Sequence, residues 1–417
     1  MKKLLILGAG TAGTMMLNKL RHRLDKKEWE ITIVENDPNH YYQPGFLFVP
    51  FGIYNKTEIV KPKADFFPNH IHAVWDEVVK IEPENNQVLL KNNDPLAYDV
   101  LLIATGCTPD PAETPGLQGE LWEKDIFTFY TYEGSCALHD KLENWEGGKL
   151  VINIVDMPIK CPPAPLEFTF LAEAFFTNKG MRDKVDITFV TPMSGPFTKP
   201  VASKMLSGLL AERNIHSVHD FYIEKVDEAN KKIVSYDEKE VPFDLLITIP
   251  TNKGAAMVAA SGLDEGDDLN FAVTDKHTLQ SKQFENIFVI GDATNLPASK
   301  AGSVAHFEGE VLTENILEFI AGKPLTHQFD GHSNCFIETG YGQASVIDFN
   351  YEVQPLPGKF PVPGIGPLSL LGISRINHWG KLAFKWAYWN MLLKGIPFPI
   401  STNMSMAGKE EEAATEA

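Results

Sequence analysis

Cys161 stands in the turn Met157-Pro158-Ile159-Lys160-Cys161-Pro162-Pro163-Ala164-Pro165, between a β-branched run, Val151 to Val155, and an apolar stretch, Leu166 to Phe175. The run has strand composition and the stretch reads as a helix. In a dinucleotide-binding unit such a strand-to-helix turn is glycine-rich, so that phosphate can approach the backbone at the helix N-terminus. This turn has no glycine. A thiol there feels the positive end of the helix and the charge of Lys160, both of which favour the reactive thiolate. A buried core cysteine is the alternative. A second thiol, Cys335, follows Asp330-Gly331 in the segment DGHSNCFIETGY. Cys136, in GSCALHDKL, and Cys107, directly after Ala104-Thr105-Gly106, read as apolar packing positions. Four cysteines in 417 residues are not a disulfide framework.

The elements that would position these thiols begin at the N-terminus. A strand, Leu4 to Leu7, runs into Gly8-Ala9-Gly10-Thr11-Ala12-Gly13 and then a helical stretch from Met15 to Leu24. This is a GxGxxG fingerprint in its required context: Gly8 for the tight turn, Gly10 for access of the pyrophosphate, Gly13 for close helix packing. A second strand, Ile31 to Val34, ends at Glu35, about 20 residues past the last glycine, where a ribose-binding acid belongs. Tyr98 to Ile103 is a strand leading into Ala104-Thr105-Gly106, and Asn286 to Ile290 leads into Gly291-Asp292. Both resemble motifs of flavoproteins with two dinucleotide-binding domains. That likeness implies FAD at the first site, with Asp292 on the ribityl chain and the helix of about 301–320, entered through Lys300-Ala301-Gly302, aimed at the flavin ring. A second α/β unit, roughly 147–270, lacks its own glycine turn, which argues against NADH as donor.

The formal net charge of -18 argues against a nucleic-acid surface. No apolar run reaches the ~18 residues of a membrane span, and the N-terminal run breaks at Gly8 without a cleavage site. From Leu368 to Leu393, however, the chain is rich in tryptophan and carries basic but no acidic residues. On a helix His378, Lys381 and Lys385 share one face, and Leu382, Trp386, Trp389 and Leu393 line another. This pattern suits a helix lying in a membrane interface; a helix pair packed on the core or a dimer contact is the alternative. The end, Lys409-Glu410-Glu411-Glu412 and its alanines, reads as a solubilising disordered tail.

Taken together, GAGTAG with Glu35, YYQPG at 41–45, Thr105 within ATG, MPIKCPPAPLE, VTDKHTLQ at 273–280, VIGDATNLPASKAG, DGHSNCFIETGY and YWNMLLKG resemble the sulfide:quinone oxidoreductase family over nearly the whole chain. The resemblance implies FAD held by Gly8, Gly10, Ala12, Gly13, Glu35, Thr105, Gly106, Gly291, Asp292, Lys300, Ala301 and Gly302. It implies redox roles for Cys161 and Cys335: sulfide attacks their disulfide or sulfur-bridged form, and two electrons pass through the flavin to quinone. Glu167 would manage protons near Cys161, and Lys300 would stabilise the reduced ring. Phe336 and Tyr341 are candidate quinone-pocket aromatics. No metal is implied.

The expected fold is α/β, with two Rossmann-like dinucleotide-binding domains and a C-terminal amphipathic-helix region for membrane association. The FAD domain takes 1–110 and 271–325, the second domain 111–270, the C-terminal region 326–400 and a flexible acidic tail 401–417. The expected setting is the cytoplasmic face of the cytoplasmic membrane, with homo-oligomerisation open. A sulfide dehydrogenase subunit with a cytochrome acceptor, a type II NADH dehydrogenase and a non-catalytic flavin-binding redox sensor remain as other readings.

Overall fold

Runs of β-branched and aliphatic residues that are apolar on both faces form two parallel sheets. The computed structural model describes residues 1–410 except Pro363 and Pro399. In the first sheet the strands lie in the order Ile287–Val289, Val100–Ile103, Lys2–Leu7, Trp29–Glu35, His72–Trp75. Leu4 pairs with Ile31 on one side and Val100 on the other. The chain leaves this sheet after Ile103 and returns only at Ile287, so the turn carrying Gly291 and Asp292 is brought against Ala12 of the glycine turn from far along the sequence. The second sheet runs Ile126–Phe127, Leu245–Ile249, Gly148–Ile154, Val185–Val190, His216–Val218. The buried helix Ala164–Asn178 crosses between two of its strands and carries Cys161 at its entrance.

A four-stranded sheet, not foreseen from the sequence, follows: Ser333–Gly340, Gln343–Phe349, Gly366–Leu370, Gly358–Val362. The helix Arg375–Ala387 lies on it, its N-terminus capped by Ser374, whose side chain accepts the Asn377 N–H. Phe336 packs where Gly380 has no side chain: a Cβ there would sit 3.0 Å from its ring.

The expected membrane faces of this helix are corrected by the packing. His378, Lys381 and Lys385 do not present charge to lipid; they pair with Glu338, Glu167 and Glu58. Trp389 and Leu393 are buried, not exposed, because the helix passes into a π-helical turn at Tyr388–Leu392 that rotates the residues after it out of α register. Trp389 stacks on Phe66 at 5.4 Å, Asn18 Nδ2 donates to the Leu393 carbonyl, and the Tyr388 hydroxyl meets Thr11 Oγ1 at 2.7 Å. This turn locks the C-terminal region onto the first helix, Thr11–Arg23. The apolar residues left outside are Ile376, Trp379, Ala383 and Trp386, at i, i+3, i+7 and i+10 of one face. Trp379 and Trp386 are 65% and 64% exposed.

The tail expected to be flexible is docked over 401–410. Lys409 pairs with the buried Asp348, Met404 N–H donates to Asp330 Oδ2 and Glu410 N–H to the Pro357 carbonyl. A buried carboxylate attracts the ammonium of the tail, which composition alone does not show. Residues 411–417 lie outside the described residues.

Trp389→Ala should therefore destabilise the protein by about 3–5 kcal/mol in urea unfolding. Trp379→Ala should stay within about 0.5 kcal/mol. The reverse order would mean that Trp389 is the outward residue.

Candidate active site

Cys161 is placed by main-chain bonds. Its N–H donates to the Lys300 carbonyl at 2.7 Å, its carbonyl accepts the Ala164 N–H at 2.8 Å, and the Tyr130 hydroxyl donates to the same carbonyl at 3.3 Å. These partners hold it at φ +45°, a region that costs a non-glycine residue about 1 kcal/mol or more and persists only where neighbours fix it. Lys300 extends the clamp: its Nζ donates to the Asp292 and Thr294 carbonyls at 3.0 and 2.6 Å. One residue thus ties the cysteine turn to the Gly291-Asp292 turn.

Cys335 comes from the strand Ser333–Gly340, where period-two alternation sets Cys335 and Ile337 on one face and Phe336 and Glu338 on the other. This is an edge strand, and its free edge is closed by Glu167, whose Oε1 accepts the Glu338 N–H at 2.6 Å and pairs with Lys381. Glu167 is fully buried rather than on the surface. Both thiols feel the charges of Glu167 and Lys381, and Cys161 acts on Cys335.

The expectation that the helix and Lys160 would favour a thiolate is corrected. Burial, reinforced by Glu167, pushes the Cys161 thiol up to about 12, against the pull of Lys381. Burial also pushes Cys335 up, with Cys161 adding to it. Lys160 is turned aside, its Nζ 3.1 Å from Gln43 Oε1. The surroundings of both sulfurs therefore disfavour a standing thiolate. Cys107 is buried with its Sγ 3.9 Å from Asn252 Oδ1, and Cys136 lies half-buried on the helix Tyr132–Asn144.

The residues expected to hold FAD form a cradle. A Cβ on Gly8, at φ +90°, would fall 2.6 Å from the Ala104 carbonyl, and one on Gly13 only 1.9 Å from that of Gly8, so neither tolerates a side chain. Gly10, Gly106 and Gly302 face open space. The helices Thr11–Arg23 and Gly302–Ile320, the latter entered from Ala301, have no side-chain cap and no acid in the first turn, leaving N–H groups for an anion or a polar ring edge. Thr105 Oγ1 is buried without a partner, and among the described residues no hydrogen bond reaches the Asp292 carboxylate. Burial raises that carboxyl, opposed by Lys300 and Lys160. Glu35 Oε2 accepts the Ala9 N–H at 2.8 Å and pairs with Lys63 at 2.7 Å. Burial works against its charge, but Lys63 and the backbone donors outweigh that and keep it ionised. These uncapped helix ends, orphaned groups and open glycines fit a dinucleotide.

Of the two quinone candidates, Phe336 lies against the C-terminal helix. Tyr341 sits apart at a hairpin turn, its hydroxyl 2.8 Å from Glu173 Oε1 and its ring under Arg213. Sequence reasoning missed Glu338 and Glu308 and gave Lys381 the wrong partner. Alternation in CFIETGY, which puts Glu338 on an inward face, was a usable signal for the first; a lone acid inside the apolar run of SVAHFEGEVL was one for the second.

Glu308 Oε2 accepts the Gly291 N–H at 2.6 Å, and burial pushes its carboxyl up to about 8. The folded state holds a proton there that the unfolded chain releases near 4.5, so this contribution is full at low pH and is lost as pH rises through 8. Glu308→Gln should gain stability relative to the original protein between about pH 5 and 8, by on the order of 1.4 kcal/mol per unit. Urea unfolding across that window checks this, and parallel curves would contradict it.

Residues 2–152 match the family model described as pyridine nucleotide-disulphide oxidoreductase. The mitochondrial sulfide:quinone oxidoreductase of Dictyostelium discoideum is 28% identical over 94% of this chain and 86% of its own. The structure of the sulfide:quinone oxidoreductase from Aquifex aeolicus superposes with a TM-score of 0.78 at 21% identity, covering 95% of this chain and 92% of that one. A type II NADH:quinone oxidoreductase of Staphylococcus aureus is 26% identical over 86% of this chain and 92% of its own. With a half-buried and a buried cysteine meeting one buried Glu–Lys pair at a glycine-free turn, the chain belongs to the sulfide:quinone oxidoreductase family, within the pyridine nucleotide-disulphide oxidoreductases.

Proposed function

We propose that this protein oxidises hydrogen sulfide to sulfane sulfur through Cys161 and Cys335 at a membrane surface and delivers the electrons, by way of FAD, to a quinone. The observation that carries this reading is the convergence of the two thiols on Glu167 and Lys381, beside the turn that holds Asp292. FAD would be held by the Gly8–Gly13 turn, Glu35, Thr105, Gly106, Gly291, Asp292 and the Gly302 helix end, and when bound it supplies a two-electron acceptor. The protein's own part is sulfur exchange. With the two cysteines joined, HS⁻ attacks one sulfur, the Cys–Cys bond breaks, a new S–S bond forms on the attacked cysteine, and the other leaves as a thiolate. Lys381 stabilises the charge released, and Glu167 accepts the proton of the new persulfide. Lys300 holds the two turns in place. The absence of glycine from the 157–165 turn leaves no seat there for a second dinucleotide, so sulfide rather than NADH is the donor in this reading.

The quinone would approach on the side of Phe336 and the C-terminal helix. Tyr341, engaged by Glu173 and Arg213, is the weaker of the two aromatics for that role. No helix among the described residues is long and apolar enough to cross a membrane. Attachment would instead use Ile376, Trp379 and Trp386 with the hairpin residues Val362 and Ile365, all exposed, on the cytoplasmic face of the membrane.

Anaerobic addition of sulfide should bleach the FAD-loaded protein, a soluble quinone should restore the colour, and NADH alone should do nothing. Cys161→Ser and Cys335→Ser should each abolish bleaching by sulfide while FAD stays bound. Bleaching by NADH, or by sulfide in both variants, would contradict the reading. In vesicle co-sedimentation, Trp379→Asp with Trp386→Asp should weaken binding at least roughly tenfold, the equivalent of about 1.4 kcal/mol. Unchanged binding would remove this surface from the membrane.

A further inference from the structure

Four ionisable side chains run from the thiols to the outside of the molecule. Glu167 stands beside both cysteines; its Oε1 takes the Glu338 N–H and Lys381, while its Oε2 is buried with no partner. A buried carboxylate oxygen without a donor is costly in a resting structure, and it is an acceptor for a proton that arrives during reaction. Lys381 feels both Glu167 and Glu338, whose carboxylates overcome burial to keep it charged. The Glu338 carboxylate is 0% exposed, and both of its oxygens lie 2.9 Å from His378 Nδ1. His378 keeps 15% exposure, against 10% for Lys381 and 0% for Glu167, and its neighbour Trp379 lies on the outer face.

We propose that His378 is the outer end of a proton path that begins at Glu167 and passes through Lys381 and Glu338, clearing the proton that sulfide brings to the cysteines. This deepens the sulfide reading and rests on it. Two carboxylates face one ammonium, so the buried set carries a net negative charge unless one more proton sits among Glu167, Glu338 and His378. Burial disfavours that excess charge and raises the Glu167 carboxyl, which makes Glu167 the proton acceptor beside the cysteines. Among the described residues, neighbouring elements add no second buried cation: Lys385 pairs with Glu58 and lies over the Tyr54 ring, and Asp348 is matched by His332 and Lys409. Tyr54, whose buried hydroxyl has no partner, is the remaining group that feels Glu338, and Tyr42 feels Glu167.

The steps balance. HS⁻ and the Cys–Cys bond give a protonated persulfide, Cys–S–SH, and a cysteine thiolate. Glu167 takes the persulfide proton. Lys381, bonded to Glu167 and only in the field of Glu338 at rest, swings over to give Glu338 a proton and returns to take one from Glu167. Glu338 passes it to His378 Nδ1, and His378 releases one from Nε2 to water. No electron moves along this path.

The test uses the FAD-loaded protein under anaerobic conditions, following sulfide-driven bleaching by stopped flow across pH. His378→Ala should slow bleaching tenfold or more, with FAD binding retained. Added imidazole should restore the rate in proportion to its free-base form, a response that a merely structural histidine would not give. Glu338→Gln, which keeps a partner for His378 but cannot carry a proton, should be slow and insensitive to imidazole; it keeps the test open if the alanine variant folds poorly. A His378→Ala rate and pH profile like those of the original protein, or a loss that imidazole leaves unrepaired, would overturn the path while leaving sulfide oxidation standing. If the original protein were not bleached by sulfide at all, both would fall.

Discussion

The buried pair of Glu167 and Lys381 joins the three elements on which the site depends. Glu167 comes from the helix that follows the cysteine turn, Lys381 from the C-terminal helix, and the carboxylate also closes the edge of the strand that carries Cys335. Neither charge is stable alone in that position: removing one partner of a buried pair costs about 3–5 kcal/mol because the other is left uncompensated. The pair therefore sets where the C-terminal helix docks, and with it which of that helix's faces remains outside. It also fixes the field in which both thiols titrate. A thiol beside a carboxylate in such a place is pushed up, so the proposed reaction works from sulfur that is already bonded rather than from a standing nucleophile.

A second constraint comes from the join between the sheets. The cysteine turn is held by the Lys300 main chain, and the Lys300 side chain is spent on the carbonyls of the Asp292 turn. The cysteine turn and the glycine cradle thus share one residue as a spacer. The cradle itself depends on close backbone approach at Gly8 and Gly13 and on helix ends left without caps. The glycine-free turn of the second sheet has instead given its helix entrance to a cysteine.

Much of this was legible in the chain because it is local. The GxGxxG turn with Glu35, and the Gly291-Asp292 turn, announce themselves within a few residues, and strands buried on both faces read as continuous apolar runs. What was not legible depends on distant partners. Glu167 and Lys381 are 214 residues apart, so the lysine read as a cation for lipid headgroups. The π-helical turn at Tyr388 changes which residues follow the exposed stripe, and no periodicity count on an ideal helix anticipates it. The thiolate expectation failed for the same reason: the local helix field was visible, while burial and the facing carboxylate were not. The four-stranded sheet escaped because its second and third strands meet through a single non-local parallel pairing, Val346 with Leu370.

The account stands on Cys161 and Cys335 acting as one sulfur-handling pair, and peptide mapping tests that most directly. The protein would be treated with sulfide and quinone, quenched in acid, alkylated and digested without reductant, and the cysteine peptides identified by mass. The account predicts a cross-linked peptide joining Cys161 to Cys335, directly or through added sulfur, with Cys107 and Cys136 recovered singly alkylated. Recovery of Cys161 and Cys335 as separate alkylated peptides without added sulfur, or a cross-link running through Cys107 or Cys136, would contradict it.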